Sequence, residues 1–555
     1  MGYSMLEYFY RTDDQELFSG REGQLAGLAN ALLACRSLDM HLSGLRRIGK
    51  TMLIKEFIKR QLPNPALLPV YINLEEIAET PEDFALKFIS WHIYWLQGKG
   101  ETLPLPYLHL PGLLWEIIDK EVREAVQPVA RELEKARPDR QVLFQACFSF
   151  PSELARITGR RVLLFLDEFQ EIVHLTNFDQ AKNVLKLLRA AKDRSHEVSW
   201  CICGSIISEM DAIARTPESP LFNQFSHLAI PPYIREDSET LIRKYLTDCD
   251  NRLVGLFHHF SAGSPFYLTH LLRRLTILGA RGDDISEALI KRAFIAETLS
   301  PGGMINSYCT YLYNVSIQRA KGYGVLRSLL DNIAVSDEAL NQSELARRLK
   351  MTQGAVRSNL NELVAVGVLY ERERCYHYTD PVLRYWVAYV QNGIEVSEFP
   401  TGKDLLLLID ELDRKYQVAS TELGKSREET IRALMRNFRG QKVAGSFFGM
   451  QESVTLPCFT DVANFRSPNG RMEIDALGSG TECWAVEVKW KKKAVGMKEL
   501  ASFADLAESL ADRLWYVSRA GFTTEGRKYA AERGILISEQ QQLEGLIREF
   551  CPFTV

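Results

Sequence analysis

Short unbroken apolar runs punctuate the first half of the chain: Met40–Ser43 (MHLS), Leu67–Asn73 (LLPVYIN), Val162–Leu166 (VLLFL), Ser199–Ser205 (SWCICGS) and Leu228–Pro231. Runs without polar alternation predict strands buried on both faces, as a parallel sheet requires. Between them, apolar positions recur at helical spacing over Gly23–Cys35, Met52–Gln61 and Gln180–Lys192. A long helical pattern over 76–160, broken by Leu103-Pro104-Leu105-Pro106, carries Trp91, Trp95 and Trp115. It is expected to be either a cover over the sheet edge or a partner-binding or lid element. Residues 235–320 continue as a helical lid.

The pattern changes after residue 321. Asn341–Lys350 (NQSELARRLK) predicts a helix capped by Asn341 or Ser343. Met351 and Thr352 make a turn, and Gln353–Gly367 predicts a second helix. Val368–Thr379 alternates like two short strands around a wing, so 321–395 is expected to be a winged helix-turn-helix. Gln353, Arg357, Ser358 and Asn361 would face a DNA groove, unless the module serves as a rigid arm.

Chemistry enters at Gly44-Leu45-Arg46-Arg47-Ile48-Gly49-Lys50-Thr51, which fits G-x-x-x-x-G-K-[ST] between a strand and a helix. The following helix aims unpaired N–H groups and the positive end of its dipole at an anion. Gly44 and Gly49 let the backbone wrap phosphates, Arg47 lies in the loop, Lys50 would reach the β- and γ-phosphates, and the Thr51 hydroxyl would ligate Mg²⁺. Asp167 and Glu168 end the VLLFL strand. Asp167 would hold the Mg²⁺ shell and Glu168 would orient or deprotonate the attacking water. Ser205, at the end of another strand, is either a γ-phosphate sensor or a plain loop serine. Arg235 and Arg215 are the two candidates for an arginine finger. The cofactors expected are therefore ATP and Mg²⁺.

Totals narrow the picture. A chain of 555 residues predicts two to four domains. Apolar content of 46%, charged content of 25% and a net charge of −4 are those of an ordinary globular protein, so nucleic-acid contact must come from local patches. No apolar stretch long enough to span a membrane occurs, so a cytoplasmic protein is expected. The 10 cysteines include no C-x-x-C pair. Disulfides and structural zinc are not expected, and Cys201 and Cys203 are read as core packing.

The order of these parts resembles a known family. The loop GLRRIGKT, the strand LLFLDE, the Gly-Ser after the next strand, the winged helix and the run Asp380-Pro381-Val382-Leu383-Arg384-Tyr385-Trp386 are similar to the prokaryotic, archaeal-type ATPases of the STAND/AAA+ group. The resemblance covers roughly residues 15–390. It implies that Phe18-Ser19-Gly20-Arg21-Glu22 lies near the adenine. It also implies that Pro265, in Gly263-Ser264-Pro265, packs on that base; otherwise this is a turn between helices. Many members of the family carry a restriction-endonuclease-like tail.

The tail has its own pattern. Met472–Leu477 predicts a strand, Gly478–Thr481 a hairpin turn, and Cys483–Trp490 (CWAVEVKW) the returning strand. Ala485, Glu487 and Lys489 would share one face, with Val486, Val488 and Trp490 on the core face. A hairpin centred near Thr481 brings Asp475 beside Glu487. Asp475…Glu487-x-Lys489 matches the PD-(D/E)xK nuclease pattern without its leading proline. Asp475 and Glu487 offer hard oxygen ligands to Mg²⁺, and Lys489 would hold the attacking water or steady developing charge. Glu428 is expected to add a carboxylate from an upstream helix, with Glu429 as the alternative. Lys489 and Lys491–Lys493 form a basic run for phosphate backbone. Helices over Lys498–Leu510 and Gly526–Arg533 and strands at Leu514–Ser518 and Ile535–Ser538 complete the expected core.

The predicted architecture is an α/β P-loop ATPase core over 1–234, the lid over 235–320, the winged helix over 321–395 and a nuclease-like α/β domain over 396–555. The function expected is an ATP-hydrolysing ATPase coupled to metal-dependent cleavage of nucleic acid, most simply DNA, in defence or mobile-element control. The alternatives are an ATP-dependent switch or DNA-binding regulator with a non-cleaving tail, and a translocating ring motor. A homo-oligomer is compatible with each, and no membrane partner is expected.

Overall fold

The computed structural model describes residues 18–33, 38–98, 103–205, 207–247, 249–279, 285–319, 323–336, 339–372, 374–400, 407–409, 427–466, 473–489 and 494–550. The chain divides into two units: 1–249 with 263–273 and 361–367, and 250–262 with 274–360 and 368–555.

The first unit is built on a parallel sheet. Its strands are β1 (Met40–Ser43), β2 (Leu67–Asn73), β3 (Arg161–Asp167), β4 (Val198–Cys203) and β5 (Ser226–Ala229), in the order β2-β3-β4-β1-β5. The apolar residues of β3 and β4 are buried on both faces, which explains their lack of polar alternation. Cys201 and Cys203 lie in this core. The helix α1 (Lys50–Gln61) follows β1 and buries Leu53, Ile54, Phe57 and Ile58. The register places Asn73 beside Asp167. The C-terminal ends of β1, β3 and β4 therefore converge on one edge, where ligands of open α/β sheets bind.

Helices Pro81–Leu96, Lys120–Leu133 and Arg140–Thr158 fill the segment between β2 and β3. Phe84, Phe88, Phe144 and Phe148 form an aromatic cluster there. Trp95 donates from Nε1 to the Tyr71 carbonyl of β2 at 3.0 Å, so this insertion packs beside the sheet. Trp91 and Trp95 are buried, whereas Trp115 is 84% exposed.

In the second unit, helices Glu287–Leu299, Met304–Arg319 and Tyr323–Val335 precede the winged module. That module contains α2 (Gln342–Leu349), α3 (Gln353–Ala365), whose residues from 361 on are counted with the first unit, and a small antiparallel sheet of β6 (Leu340–Asn341), β8 (Cys375–Tyr378) and β7 (Leu369–Arg372). Asn341, not Ser343, caps α2, and Glu344 completes a capping box. Asp380 caps the helix Pro381–Val390 through the Val382 and Leu383 N–H groups. Arg384 is buried and donates to the Ala334 and Ser336 carbonyls. The Asp-Pro-Val-Leu-Arg-Tyr-Trp run is thus a cap and a clamp on the preceding helix.

The C-terminal sheet runs β11-β12-β13-β14-β15, with β11 (Phe459–Arg466), β12 (Glu473–Gly480), β13 (Trp484–Lys489), β14 (Arg513–Ser518) and β15 (Leu536–Glu539). A short pair, β9 (Lys442–Val443) and β10 (Val454–Thr455), stands apart from it. The first three strands of the larger sheet pair antiparallel and the last three parallel. Helix α4 (Arg427–Arg436) and the helix Gln540–Phe550 contribute Ile431, Leu434 and Leu543 to one core. Helices α5 (Met497–Ala507) and α6 (Thr524–Arg533) contribute Leu500, Phe503 and Ala530 to the other. This corrects the expected one-sided strand: Ala485 on the face of Glu487 is also fully buried, because β13 is central and covered twice. Among the described residues no helix is long and apolar enough to cross a membrane.

Candidate functional sites

The first site forms where β1 turns into α1. Gly44 has φ +155 and Gly49 has φ +96, and a Cβ at Gly44 would approach the Ile230 carbonyl to 2.7 Å. Both positions therefore need glycine. Lys50 is buried and donates to the Gly44 and Leu45 carbonyls at 2.9 and 3.0 Å. Burial lowers its pKa, opposed by the nearby Cys203, Asp167 and Glu168. Thr51 Oγ1 donates to Asp167 Oδ2 at 2.6 Å. Two oxygen donors of the kind Mg²⁺ takes are thus adjacent, and the residues present fit the cation. Tyr71 donates from its hydroxyl to the same Asp167 oxygen at 2.9 Å. Burial, then the Asp167 charge, pushes this phenol far above its ordinary pKa, so it stays a donor.

Glu168 follows with φ +48, in the left-handed region. Ser205 Oγ donates to its Oε2 at 2.7 Å, and Gln170 Nε2 donates to that oxygen at 2.5 Å. Arg47 lies with its guanidinium 4.3 Å from the centre of the Phe266 ring. A Cβ at Gly49 would meet Pro265 Cγ at 3.8 Å, so the helix starting at Pro265 lies against the loop. Arg21 donates to the Ile48 carbonyl at 3.1 Å and to the Pro231 carbonyl, and sits over the Tyr233 ring. Arg215 pairs with Asp211 at 3.4 Å, and Arg235 opens the helix Arg235–Tyr245.

The second site lies on β12 and β13. The register Ala476↔Val486 sets Asp475 across from Glu487. Asp475 Oδ2 accepts from the Val488 N–H at 2.7 Å, and Lys489 Nζ donates to Glu487 Oε1 at 2.8 Å. The three chemistry-bearing residues are therefore together. Burial alone would lower the Lys489 pKa, but the Glu487 hydrogen bond and the charges of Glu487, Asp475 and Glu499 raise it. The ammonium is thus held in its charged form. Tyr516 pairs with Glu487 in register, and its pKa rises through burial and the charges of Glu487, Glu499 and Asp475. Arg432 on α4 donates to the Asp475 carbonyl.

Glu428 and Glu429 fall on the first turn of α4, and their side chains lie outside the described residues. Trp490 and Lys491–Lys493 also lie outside them. Among the described residues no group of three or more His, Cys, Asp or Glu is arranged to hold a metal ion. Asp475 and Glu487 alone supply two hard oxygen donors of the right chemistry. Glu499, Tyr516, Arg432, Tyr71 and Gln170 were not anticipated. Only Gln170 had a local signal, its place two residues after Glu168.

Residues 459–547 match the Mrr_cat family model, described as restriction endonuclease. The C-terminal region therefore carries a restriction endonuclease domain. No curated protein matches the chain. Among solved structures, a Walker-type ATPase of Pyrococcus abyssi matches at 16% identity and a TM-score of 0.47, over 68% of this chain and 97% of that one. The ORC2 protein of Aeropyrum pernix matches at 15% identity and a TM-score of 0.41, over 71% and 93%. A signal-transduction ATPase (STAND) with a tetratricopeptide repeat sensor from Pyrococcus horikoshii matches at 15% identity and a TM-score of 0.28, over 76% and 50%.

Proposed function

We propose that this protein is an ATPase that governs a metal-dependent nuclease acting on DNA. The observation that carries the nuclease half is the meeting of Asp475, Glu487 and Lys489 on neighbouring strands inside the restriction-endonuclease match. Asp475 and Glu487 would hold Mg²⁺, which supplies a polarised phosphodiester and a more acidic water. Lys489 would donate to the attacking water or to the charge growing on the phosphate oxygens.

The Thr51–Asp167 hydrogen bond supports the ATPase half. Thr51 and Asp167 would share the Mg²⁺ shell of bound ATP, Lys50 would neutralise its terminal phosphates, and Glu168 would take the proton of the attacking water as ADP leaves. Arg357, Arg347, Arg348, Lys350 and Arg374 are exposed on the winged module and would hold DNA backbone.

The test is supercoiled plasmid incubated with Mg²⁺ or Mn²⁺. Wild-type protein is expected to nick or linearise it. Asp475→Ala and Lys489→Ala are each expected to reduce cutting by roughly 10²-fold or more, the scale set by losing a metal ligand or an electrostatic donor. Equal cutting by Asp475→Ala would end the proposal, and no cutting by any protein would favour the switch with a non-cleaving tail.

A further inference from the structure

The strand that carries Asp475 breaks its own alternation at that residue. Ala463 pairs with Leu477 and Phe465 with Ile474, so β12 sets Asp475 and Ala476 against the single residue Asn464 of β11. This is a β-bulge, which bends a strand and re-aims the side chains beside it. Its effect on the two faces is plain. Ile474 lies in the core with α5 and α6, whereas Ala476 lies in the core with α4. In a regular strand these two residues would share a face. Asp475 belongs to neither ladder: no residue of β11 pairs with it, and the ladder to β13 stops at Ala476↔Val486.

Two contacts take up what the ladders leave. The Asp475 carboxylate accepts from the Val488 N–H at 2.7 Å, where a backbone carbonyl would otherwise reach β13. Arg432 of α4 donates from Nη1 to the Asp475 carbonyl. Ile431, Leu434 and Met435 are fully buried and seat α4 on this face of the sheet. The helix comes so close because residue 478 is glycine: a Cβ there would lie 2.8 Å from Met435 Cε. Arg436, one turn further along α4, donates to the Val462 carbonyl of β11 at 3.0 Å. A carbonyl out of its ladder needs a donor, and turning the Asp475 peptide to find another would swing the carboxylate away from Glu487.

We infer that Arg432 is a positioning residue of the nuclease site: by holding the Asp475 carbonyl at the bulge, it keeps the Asp475 carboxylate beside Glu487 and in place for the cation. This rests on the reading that Asp475 and Glu487 hold Mg²⁺. The guanidinium charge itself opposes a cation. The side chain is only half-buried, however, so water and salt weaken that repulsion, whereas loss of the carbonyl's donor is local and unscreened. Without Arg432 the cation therefore binds less tightly.

The experiment measures Mn²⁺ binding to nucleotide-free protein by electron paramagnetic resonance in about 1 M salt, where the Debye length is about 3 Å and charge effects are suppressed. The Mn²⁺ held by wild type and lost in Asp475→Ala defines the nuclease site. Arg432→Met and Arg432→Gln are each expected to weaken that binding about tenfold, the scale of losing a group that orients a ligand. The glutamine amide is two bonds too short for the carbonyl, and it keeps a polar side chain on α4 should Arg432→Met fail to fold. Arg432→Lys retains a donor of similar reach and is expected to bind Mn²⁺ more tightly than Arg432→Gln. Equal affinity in those two variants would mean that the bond to the carbonyl is not what holds Asp475. Unchanged or tighter binding in Arg432→Gln, even with a lowered melting temperature, leaves Arg432 a packing role and overturns the positioning role alone. If Asp475→Ala binds as much Mn²⁺ as wild type, the metal reading of Asp475 falls and takes this proposal with it.

Discussion

Glu168 shows how far single residues could be anticipated. Its left-handed backbone costs on the order of 1 kcal/mol for a residue with a Cβ, so something must hold it there. The anchoring comes from Ser205 and Gln170. Lys50, Thr51, Asp167 and Glu168 sit where a local pattern could place them, at the turn from β1 into α1 and at the end of a buried strand. Tyr71 does not, because its reach to Asp167 depends on the pairing of β2 with β3, which no local pattern encodes. Glu499 was hidden for the same reason, its charge reaching Lys489 only through the placement of α5. If Glu168 is the proton acceptor, Glu168→Gln should leave ATP affinity near that of wild type and slow hydrolysis by about 10²-fold or more. Single-turnover hydrolysis with labelled ATP measures this, and an unaltered rate would remove Glu168 from the chemistry.

At the scale of elements, strands were read more accurately than turns. β1 and β2 have the predicted bounds, and β3 ends at Asp167 as expected. The predicted helix over Gln180–Lys192 starts late, at Val184, because Gln180 takes a positive φ that a helix cannot include. The turn expected at Gly478–Thr481 is displaced, and β12 runs on through Gly480. These glycines serve close strand approach instead: a Cβ at Gly480 would meet the Cys458 carbonyl at 2.0 Å, and one at Gly478 would meet Phe459 at 2.8 Å. Composition alone cannot separate a turn glycine from one that admits a neighbour. The two helices and two strands of the winged module were legible, but the sequence left the cap open between Asn341 and Ser343, and the two-residue β6 was too short to show. On α3, Gln353, Arg357, Ser358 and Asn361 are exposed while Val356, Leu360 and Leu363 are buried, the division a groove-reading helix requires. Arg357→Ala and Arg374→Ala are expected to weaken DNA binding and each to reduce the salt slope by about 1, as loss of a phosphate contact does. Fluorescence anisotropy across a salt series measures this. Identical slopes in wild type and both variants would assign the module to a mechanical arm.

For the molecule as a whole, the two phosphate chemistries proposed for one chain invite coupling between them. Linkage sets the terms: ATP can change the nuclease only as far as it binds the cutting-competent state differently from the other state. Coupling energies of ordinary size, about 1–3 kcal/mol, correspond to roughly 5- to 150-fold in a binding equilibrium. Sequence could nominate both candidate sites but not a coupling between them, because coupling is a difference between two states and a sequence pattern reports the elements common to both. The hold on Glu168 suggests which nucleotide difference matters. If Ser205 senses the third phosphate, plasmid cleavage should differ by about tenfold between ADP and a non-hydrolysable ATP analogue, within the range of ordinary coupling. Lys50→Ala, which removes the buried ammonium at the loop, should cut at one rate whatever nucleotide is added. Glu168→Gln should retain the response to ATP and prolong it, since the triphosphate persists. Cleavage by wild type that is indifferent to nucleotide would separate the two chemistries into independent activities sharing a chain.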